Sequence, residues 1–300
     1  MTLSLPQLRV FLTIVQEGTI TAAAKKLFLS KPAVSMALAE LESQLGYPLF
    51  DRRGNRLHLN DQGIALIPKA DELLTRSDEI SATLKDDSQL IGWLRLGGSD
   101  TVGNQLLPTL ISDFRHATCH QQQTLVIANS QEIITRLQHF ELDIGLIEGE
   151  ILHPDLLQTP WLSDQMAVVC HPNHPLVSHA PLSVGDLDNQ TWLIRESGSG
   201  TREHFLSSLA PRFERWHLSF ELNTTEAILN AASAGLGLAY LSKLSAQHAI
   251  ADGRVVALEL PLLLSRRYWL VRHKDKYQSG LLTRFWDFCL HWQPQPHSST

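Results

Sequence analysis

Only three residues, Phe28-Leu29-Ser30, separate two short helical patterns near the start of the chain, and so short a connection forces two helices to cross closely. The first pattern, about Thr19 to Leu27, carries Ala22-Ala23-Ala24, whose side chains are small enough for a neighbour to pass at short range. In the second, Ser30 is placed to cap, Pro32 falls in a first turn that tolerates it, and Val34, Leu38 and Leu41 form an apolar stripe. Ahead of both, Leu5, Leu8, Phe11, Leu12 and Val15 recur at helical spacing between a Ser4 cap and Gly18. These patterns describe a helix-turn-helix, whose last helix enters the major groove of DNA. Lys31, Pro32, Ser35 and Met36 lie near its N-terminal end and off the apolar stripe, as candidates to reach base edges. Thr21 and Ser30 complete that candidate set.

A hairpin follows. Gly54-Asn55 is a turn signal, and Leu57 and Leu59 alternate as in a strand. The hairpin reads as a wing, with Arg52, Arg53 and Arg56 placed for phosphate or the minor groove. The bland alternative is a solvated basic hairpin on a small helical domain. Charge weighs against it. Residues 1–60 hold 7 basic and 4 acidic side chains, a net of +3, whereas the remainder holds 18 and 27, a net of −9. A formal total of −6 thus conceals a nucleic-acid-facing head on an acidic body.

The run TAAAKKLFLSKPAVSMALAELESQLGYPLFDRRGNRLHLNDQG resembles the N-terminal signature of LysR-type transcriptional regulators. The resemblance rests on the alanine pair, Ser30-Lys31-Pro32-Ala33-Val34-Ser35, Leu41-Glu42 with Leu45-Gly46, Leu49-Phe50-Asp51-Arg52, and Gly63 opening the next helix. It spans about the first 65 residues and implies a winged helix-turn-helix bound to double-stranded promoter DNA at inverted-repeat half-sites. It also implies a dimer or tetramer and RNA polymerase as a contact. Lys31 stands where glutamine is frequent and Met36-Ala37 where polar residues are frequent, so base preference stays open.

Residues 61–88 read as a linker helix. Leu66, Leu73 and Ile80 repeat every seven residues, as do Ala70, Ser77 and Leu84, and two such rows predict a dimerising seam. Asp86-Asp87-Ser88-Gln89 is the expected exit loop.

From residue 89 to 300, short apolar runs alternate with helical patterns, which predicts a mainly parallel α/β sheet. Strands are expected at 93–98, 124–128, 142–147, 165–170, 191–194, 217–222, 236–240 and 268–271. Helices are expected near 101–116, 130–140, 200–215, 224–234 and 278–292, with a frayed tail from Gln293. The stretches GSDTVGNQLLP, FELDIGLIEG, RESGSGTRE and GLGLAYLS resemble the LysR effector domain, which is similar to a periplasmic binding protein. The resemblance implies lobe I at about 90–161 and 268–293, lobe II at about 162–267, and a cleft between them. It looks closest to a subgroup containing sensors of sulfur metabolites and small oxyanions.

Ligands of open parallel sheets bind beyond the C-terminal strand ends. Those ends carry Ser99-Asp100-Thr101, Asn129-Ser130, Glu148-Gly149 and Arg195 through Thr201. Hydroxyls and helix starts there suit a small anion, an oxyanion or carboxylate. The resemblance places effector contacts at Ser99, Thr101 and Thr201, with Ser130 beside them, while Asp100, Gly149 and Arg195 are candidates from their places at the strand ends. Each hydroxyl is equally well read as a helix cap alone. Glu148 disturbs a purely anionic reading: it pairs with Arg195 or Arg202, or holds an amino group on the ligand.

Other classes fit less well. Ser197-Gly198-Ser199-Gly200 lacks the nucleophile-elbow pattern and no motif links a histidine to it, so no enzyme is expected. His171 and His174 sit between prolines in what reads as a surface loop, so no metal or cofactor is expected. A metabolite-binding protein without regulatory role leaves residues 1–60 without a purpose. Three scattered cysteines, an N-terminus without a basic leader and the absence of a long apolar run point to the cytoplasm.

Overall fold

A computed structural model describes residues 3–53, 56–83, 90, 92–179 and 181–294. The head opens with α1 (Leu5–Glu17), α2 (Ile20–Leu27) and α3 (Lys31–Leu45). Ser4 and Gln7 form a reciprocal capping box, while the Thr19 and Ser30 hydroxyls accept from the amides of Ala22 and Ala33. The wing is β1 (Phe50–Arg53) paired antiparallel with β2 (Arg56–Leu59), Phe50 standing opposite Leu59. Gly54-Asn55 and the side chains of Arg52, Arg53 and Arg56 lie outside the described residues. Phe11, Ile14, Ala23, Val34, Leu38, Leu41 and Leu49 close the core of the head, with the Phe11 and Phe50 rings 5.8 Å apart.

The linker helix α4 (Asp61–Thr83) starts hard against the wing. A Cβ on Gly63 would stand 2.4 Å from the Leu49 carbonyl oxygen, so only glycine permits this approach. The two predicted heptad rows divide along the length of the helix. Ala70 is fully buried in the core of the head, whereas Leu73 and Ile80 are 46% and 67% exposed. Leu66 packs on the same core, so the first position of each row is taken by the chain's own head, and Leu73 and Ile80 further along the helix are free to face a second copy. Leu84 and the exit loop lie outside the described residues.

The body runs β3 (Leu94–Gly98), α5 (Asp100–Gln105), α6 (Leu107–Thr118), β4 (Gln123–Ile127), α7 (Ser130–Gln138), β5 (Ile144–Glu148), β6 (Leu156–Cys170), β7 (Thr191–Arg195) and α8 (Gly200–His204). It continues through β8 (His217–Leu222), α9 (Thr225–Ser233), β9 (Leu238–Ser242), α10 (Lys243–Ala251), β10 (Val256–Ala257), β11 (Ser265–His273) and α11 (Gly280–His291). Strand order is β4-β3-β5-β11-β6-β9-β7-β8, with β10 beside β6. β3 pairs parallel with β4 and β5, and β7 with β8 and β9. β6 and β11 pair antiparallel with each other and carry the chain from one parallel set to the other and back. Two lobes result. Phe114 packs edge-on against Phe285 in the first, and Trp192 stacks on Phe213 in the second.

Several expectations need correction. The helix expected at 101–116 is two helices, because the Pro108 ring belongs in a first turn and starts α6 afresh. The strand expected from Gln165 begins at Leu156 and runs through Pro160, which stands opposite Trp269 where the ladder with β11 shifts register. A proline without an N–H is tolerated at such an irregularity. The helix expected at 200–215 is short: α8 loosens into a π turn over Phe205–Leu209 and a 3-10 turn around Pro211. α10 was not expected, since KLSAQHAIA shows little helical alternation.

Head and body meet at a buried ion cluster. Lys276 Nζ lies 2.6 Å from Asp71 and 2.7 Å from Asp143, and Arg95 reaches the same two carboxylates at 3.0 and 2.6 Å. Arg95 also donates to the carbonyl oxygen of Phe140, a residue buried in the core of the head. Burial alone would raise the Asp143 carboxyl, but Lys276 and Arg95 together hold it far below the usual carboxylate range.

Candidate functional site

On the head, Thr21, Ser30, Lys31, Pro32 and Met36 are exposed and Ser35 is half-buried. Helical spacing puts Lys31, Pro32, Ser35 and Met36 on one side of α3, away from buried Val34, Leu38 and Leu41. Sequence reasoning passed over Phe28. This residue ends α2 in the left-handed region at φ 56° and is 96% exposed, an apolar ring held out beside the start of α3. The signal was a bulky residue at a turn position that favours glycine.

Between the lobes, the same four-residue pattern occurs twice: Gly98-Ser99-Asp100-Thr101 at the end of β3, and Gly198-Ser199-Gly200-Thr201 beyond β7. Ser99, Thr101, Ser199 and Thr201 are all buried. One side chain joins the two corners. Arg266 of β11 donates from Nη2 to the Thr101 hydroxyl at 3.0 Å and from Nη1 to the Thr201 hydroxyl at 2.8 Å. Each threonine accepts from the guanidinium and keeps its own O–H to donate elsewhere. The Ser99 and Ser199 hydroxyls have no hydrogen-bond partner. Nothing in Ser265-Arg266-Arg267 marks Arg266 in the sequence, and it was missed.

The guanidinium is fully buried and stays charged: burial would lower its pKa, but Glu148, Tyr268 and Asp164 hold it above its usual value. Asp164 accepts from Arg266 Nε at 2.8 Å and from the Ser242 hydroxyl at 2.8 Å. Glu148 accepts from the Thr101 amide at 2.8 Å, and its other oxygen stands 3.6 Å from Arg266. The partner of Glu148 is thus Arg266. Arg195 and Arg202 are engaged elsewhere: Arg195 with Asp100 and Glu196, Arg202 with Glu221 and the Arg195 carbonyl.

Other residues singled out in the sequence hold the lobes together. Asp100 of the first lobe accepts from Arg195 and Thr225 of the second. Ser130 donates to the Glu148 carbonyl oxygen at 3.1 Å, and the Gln131 amide donates across the cleft to Gly198 at 3.1 Å. A Cβ on Gly200 would stand 2.5 Å from the Glu148 carbonyl oxygen, so glycine lets the two lobes close at this point. Gly149 takes a left-handed φ of 82° where β5 turns away. The cleft is open at its flanks, as a cavity of about 510 Å³ bordered by Ser130, Glu148 and Ser197, and one of about 680 Å³ bordered by Trp161, Asp164 and Tyr268.

His171 and His174 each accept a backbone N–H from two residues on, so each imidazole caps its own loop. Among the described residues no group of three His, Cys, Asp or Glu side chains is placed to hold a metal. No helix of the described residues is long and apolar enough to cross a membrane. Cys170 and Cys289 are buried in the lobe cores, and burial pushes the Cys170 thiol up to about 11.

Known proteins share this plan. A family model described as the LysR substrate binding domain matches residues 87–294, and one described as a bacterial regulatory helix-turn-helix protein, lysR family, matches residues 5–64. The uncharacterized HTH-type transcriptional regulator YeiE of Escherichia coli (strain K12) is 38% identical over 294 residues, 96% of this chain and 98% of that protein. A full-length OxyR variant from Pseudomonas aeruginosa superposes with a TM-score of 0.73 at 21% identity, covering 97% of this chain and 94% of that one. The Synechocystis PCC6803 CcmR regulatory domain, in complex with 2-PG, matches with a TM-score of 0.61 at 24% identity, over 66% of this chain and 96% of its own. With a winged head at one end and two lobes at the other, this chain belongs to the LysR family of transcriptional regulators, a DNA-binding head joined to an effector-binding domain.

Proposed function

We propose that this regulator binds a small anionic metabolite between its lobes, at the two Ser-x-Thr corners joined by Arg266, and that occupancy changes how paired heads sit on DNA. The observation that carries the reading is the pair of buried, unpartnered hydroxyls, Ser99 and Ser199, flanking two threonines that each already accept one guanidinium N–H and keep their own O–H to donate. Four O–H groups are then available as donors in a water-poor cleft, the arrangement that binds an oxyanion or carboxylate. The relative CcmR was solved with 2-PG. A nucleophile reading of Ser197 or Ser199 has no support, since no histidine bonds to either hydroxyl among the described residues.

On the DNA side, Thr21, Ser30, Lys31, Pro32, Ser35 and Met36 read the major groove of inverted-repeat half-sites, while Arg52, Arg53 and Arg56 contact the backbone or minor groove. The exposed stretch of α4, with Leu73 and Ile80, forms the dimer seam, and dimers pair into tetramers. Work in the cytoplasm, and contact with RNA polymerase at the promoter, complete the proposal.

Thr201→Val tests the cleft. It removes the O–H together with the acceptor of Arg266 Nη1 while keeping shape, so ligand-induced thermal stabilisation is expected to disappear while DNA affinity without ligand stays within about threefold. An unchanged thermal shift in the variant, or identical DNA footprints with and without saturating effector, would overturn the reading.

A further inference from the structure

We propose that the effector is an anion carrying its own hydrogen-bond donor, an O–H or N–H that it presents to Glu148; the inference rests on the cleft being the effector site. The charges at the cleft carry the argument. Arg266 is the cation at its centre, and Asp164 neutralises it through a 2.8 Å hydrogen bond. Arg195, the next guanidinium, is engaged by Asp100 and Glu196. Glu148 is left with one backbone N–H on Oε1, while Oε2 faces Arg266 at 3.6 Å, beyond hydrogen-bond distance.

Side chains of Glu148 and Asp164 are 1% and 3% exposed, so water does not screen them. Glu148 and Asp164 bear on Arg266, and Arg195, which Glu148 also reaches, carries Asp100 and Glu196, so four carboxylates stand against two guanidiniums and the buried centre has surplus negative charge. A second anion bearing only lone pairs would meet Glu148 lone pair to lone pair, at a cost the hydroxyl donors do not offset. An anion that keeps a hydrogen turns the same contact into a charge-assisted hydrogen bond. Ser99 and Ser199, buried and without partners, supply donors for its negative oxygens. Glu148 thereby acts as a filter on what the ligand carries, more than on its charge.

The source of the donor separates two ligand types, and four probes distinguish them on the full-length protein. Inorganic phosphate holds a proton at neutral pH and sulfate does not; sulfamate carries N–H hydrogens and methanesulfonate, also a monoanion, does not. Titration calorimetry is expected to show the donor-bearing member of at least one pair bound about 100-fold or more tightly than its counterpart. Preference within the phosphate pair assigns an O–H donor, and within the sulfamate pair an N–H donor. Glu148→Gln, which can donate where the carboxylate accepts, is expected to narrow that ratio to about threefold or less and to strengthen the donor-free anion. Equal affinity of both members in each pair, on the wild-type chain alone, overturns the filter and leaves the anion site standing. Sulfate binding with proton uptake, seen as heat that varies with buffer ionisation, also overturns it, because the hydrogen would then reside on Glu148. Binding of none of the four at millimolar concentration overturns both this inference and the anion reading beneath it.

Discussion

Two buried ion clusters sit in this body, and they are built to opposite specifications. At the junction of head and body, Asp71 and Asp143 face Arg95 and Lys276, two charges against two, and each of the four is bonded at 3.0 Å or less. In the cleft, Glu148 and Asp164 share Arg266 as their ion-pair partner, and the serines on either side have unpaired hydroxyls. The first cluster is saturated and can accept nothing more. The second is unbalanced and underbonded, and a buried group left in that condition is stabilised by what binds to it. The contrast in charge balance and bonding separates a structural charge network from a binding site where the burial of the carboxylates does not, since those of both clusters are 7% exposed or less.

The largest expected effect comes from unbalancing the saturated cluster. Lys276→Met leaves Asp71 and Asp143 sharing only Arg95, and loss of one partner from a buried pair costs about 3–5 kcal/mol. Urea unfolding of the variant measures it; a loss below about 1 kcal/mol would show that the junction contributes little and that the comparison is misdrawn. An intermediate and opposite pattern is expected in the cleft. Ser199→Ala removes a hydroxyl that bonds to nothing, so stability should change by less than about 0.5 kcal/mol while effector affinity falls about tenfold. A large loss of stability would mean that the hydroxyl has a structural partner.

The smallest effect concerns the histidine beside each cluster. His204 has its pKa lowered by burial and then by Arg266, and His273 by burial and then by Lys274 and Lys276. Both are neutral when folded at neutral pH. A histidine with a lowered folded pKa takes up protons first in the unfolded chain, so its contribution is present above the unfolded value of about 6.5 and is lost as pH falls through it. Melting temperature should therefore decline from pH 7.5 to 5.5, and His204→Gln and His273→Gln should each flatten that slope. A slope unchanged in the double variant would assign it to other groups.

How much of this was legible in the sequence depends on the range of the interaction that decides each feature. Ser4, Thr19 and Ser30 each act on an amide three residues ahead, so their caps could be read directly. The helix-turn-helix followed from Phe28-Leu29-Ser30 for the same reason. The heptad rows of α4 were visible as spacing, but which of their positions face the head depends on α1, a contact that spacing does not encode. In the body, alternation revealed strands and helices but misjudged β6, because the shift in its ladder with β11 that accommodates Pro160 lies on another strand. The hydroxyls of the cleft were found because strand ends and helix starts are local features. Their organiser was not.

The sequence by itself determined the head, most strands and helices of the body, the charge contrast between head and body, and the cleft hydroxyls of Ser99, Thr101 and Thr201. Each of these is carried by residues within a few positions of one another, where backbone geometry and capping act. Tertiary structure decided that Arg266 joins the two corners, across 165 residues to Thr101 and 65 to Thr201. It also decided that Glu148 answers to Arg266 and not to Arg195 or Arg202. The physical reason is register: a strand residue faces one side or the other according to its neighbours' pairing, and a slip of one position would turn Arg266 out of the cleft.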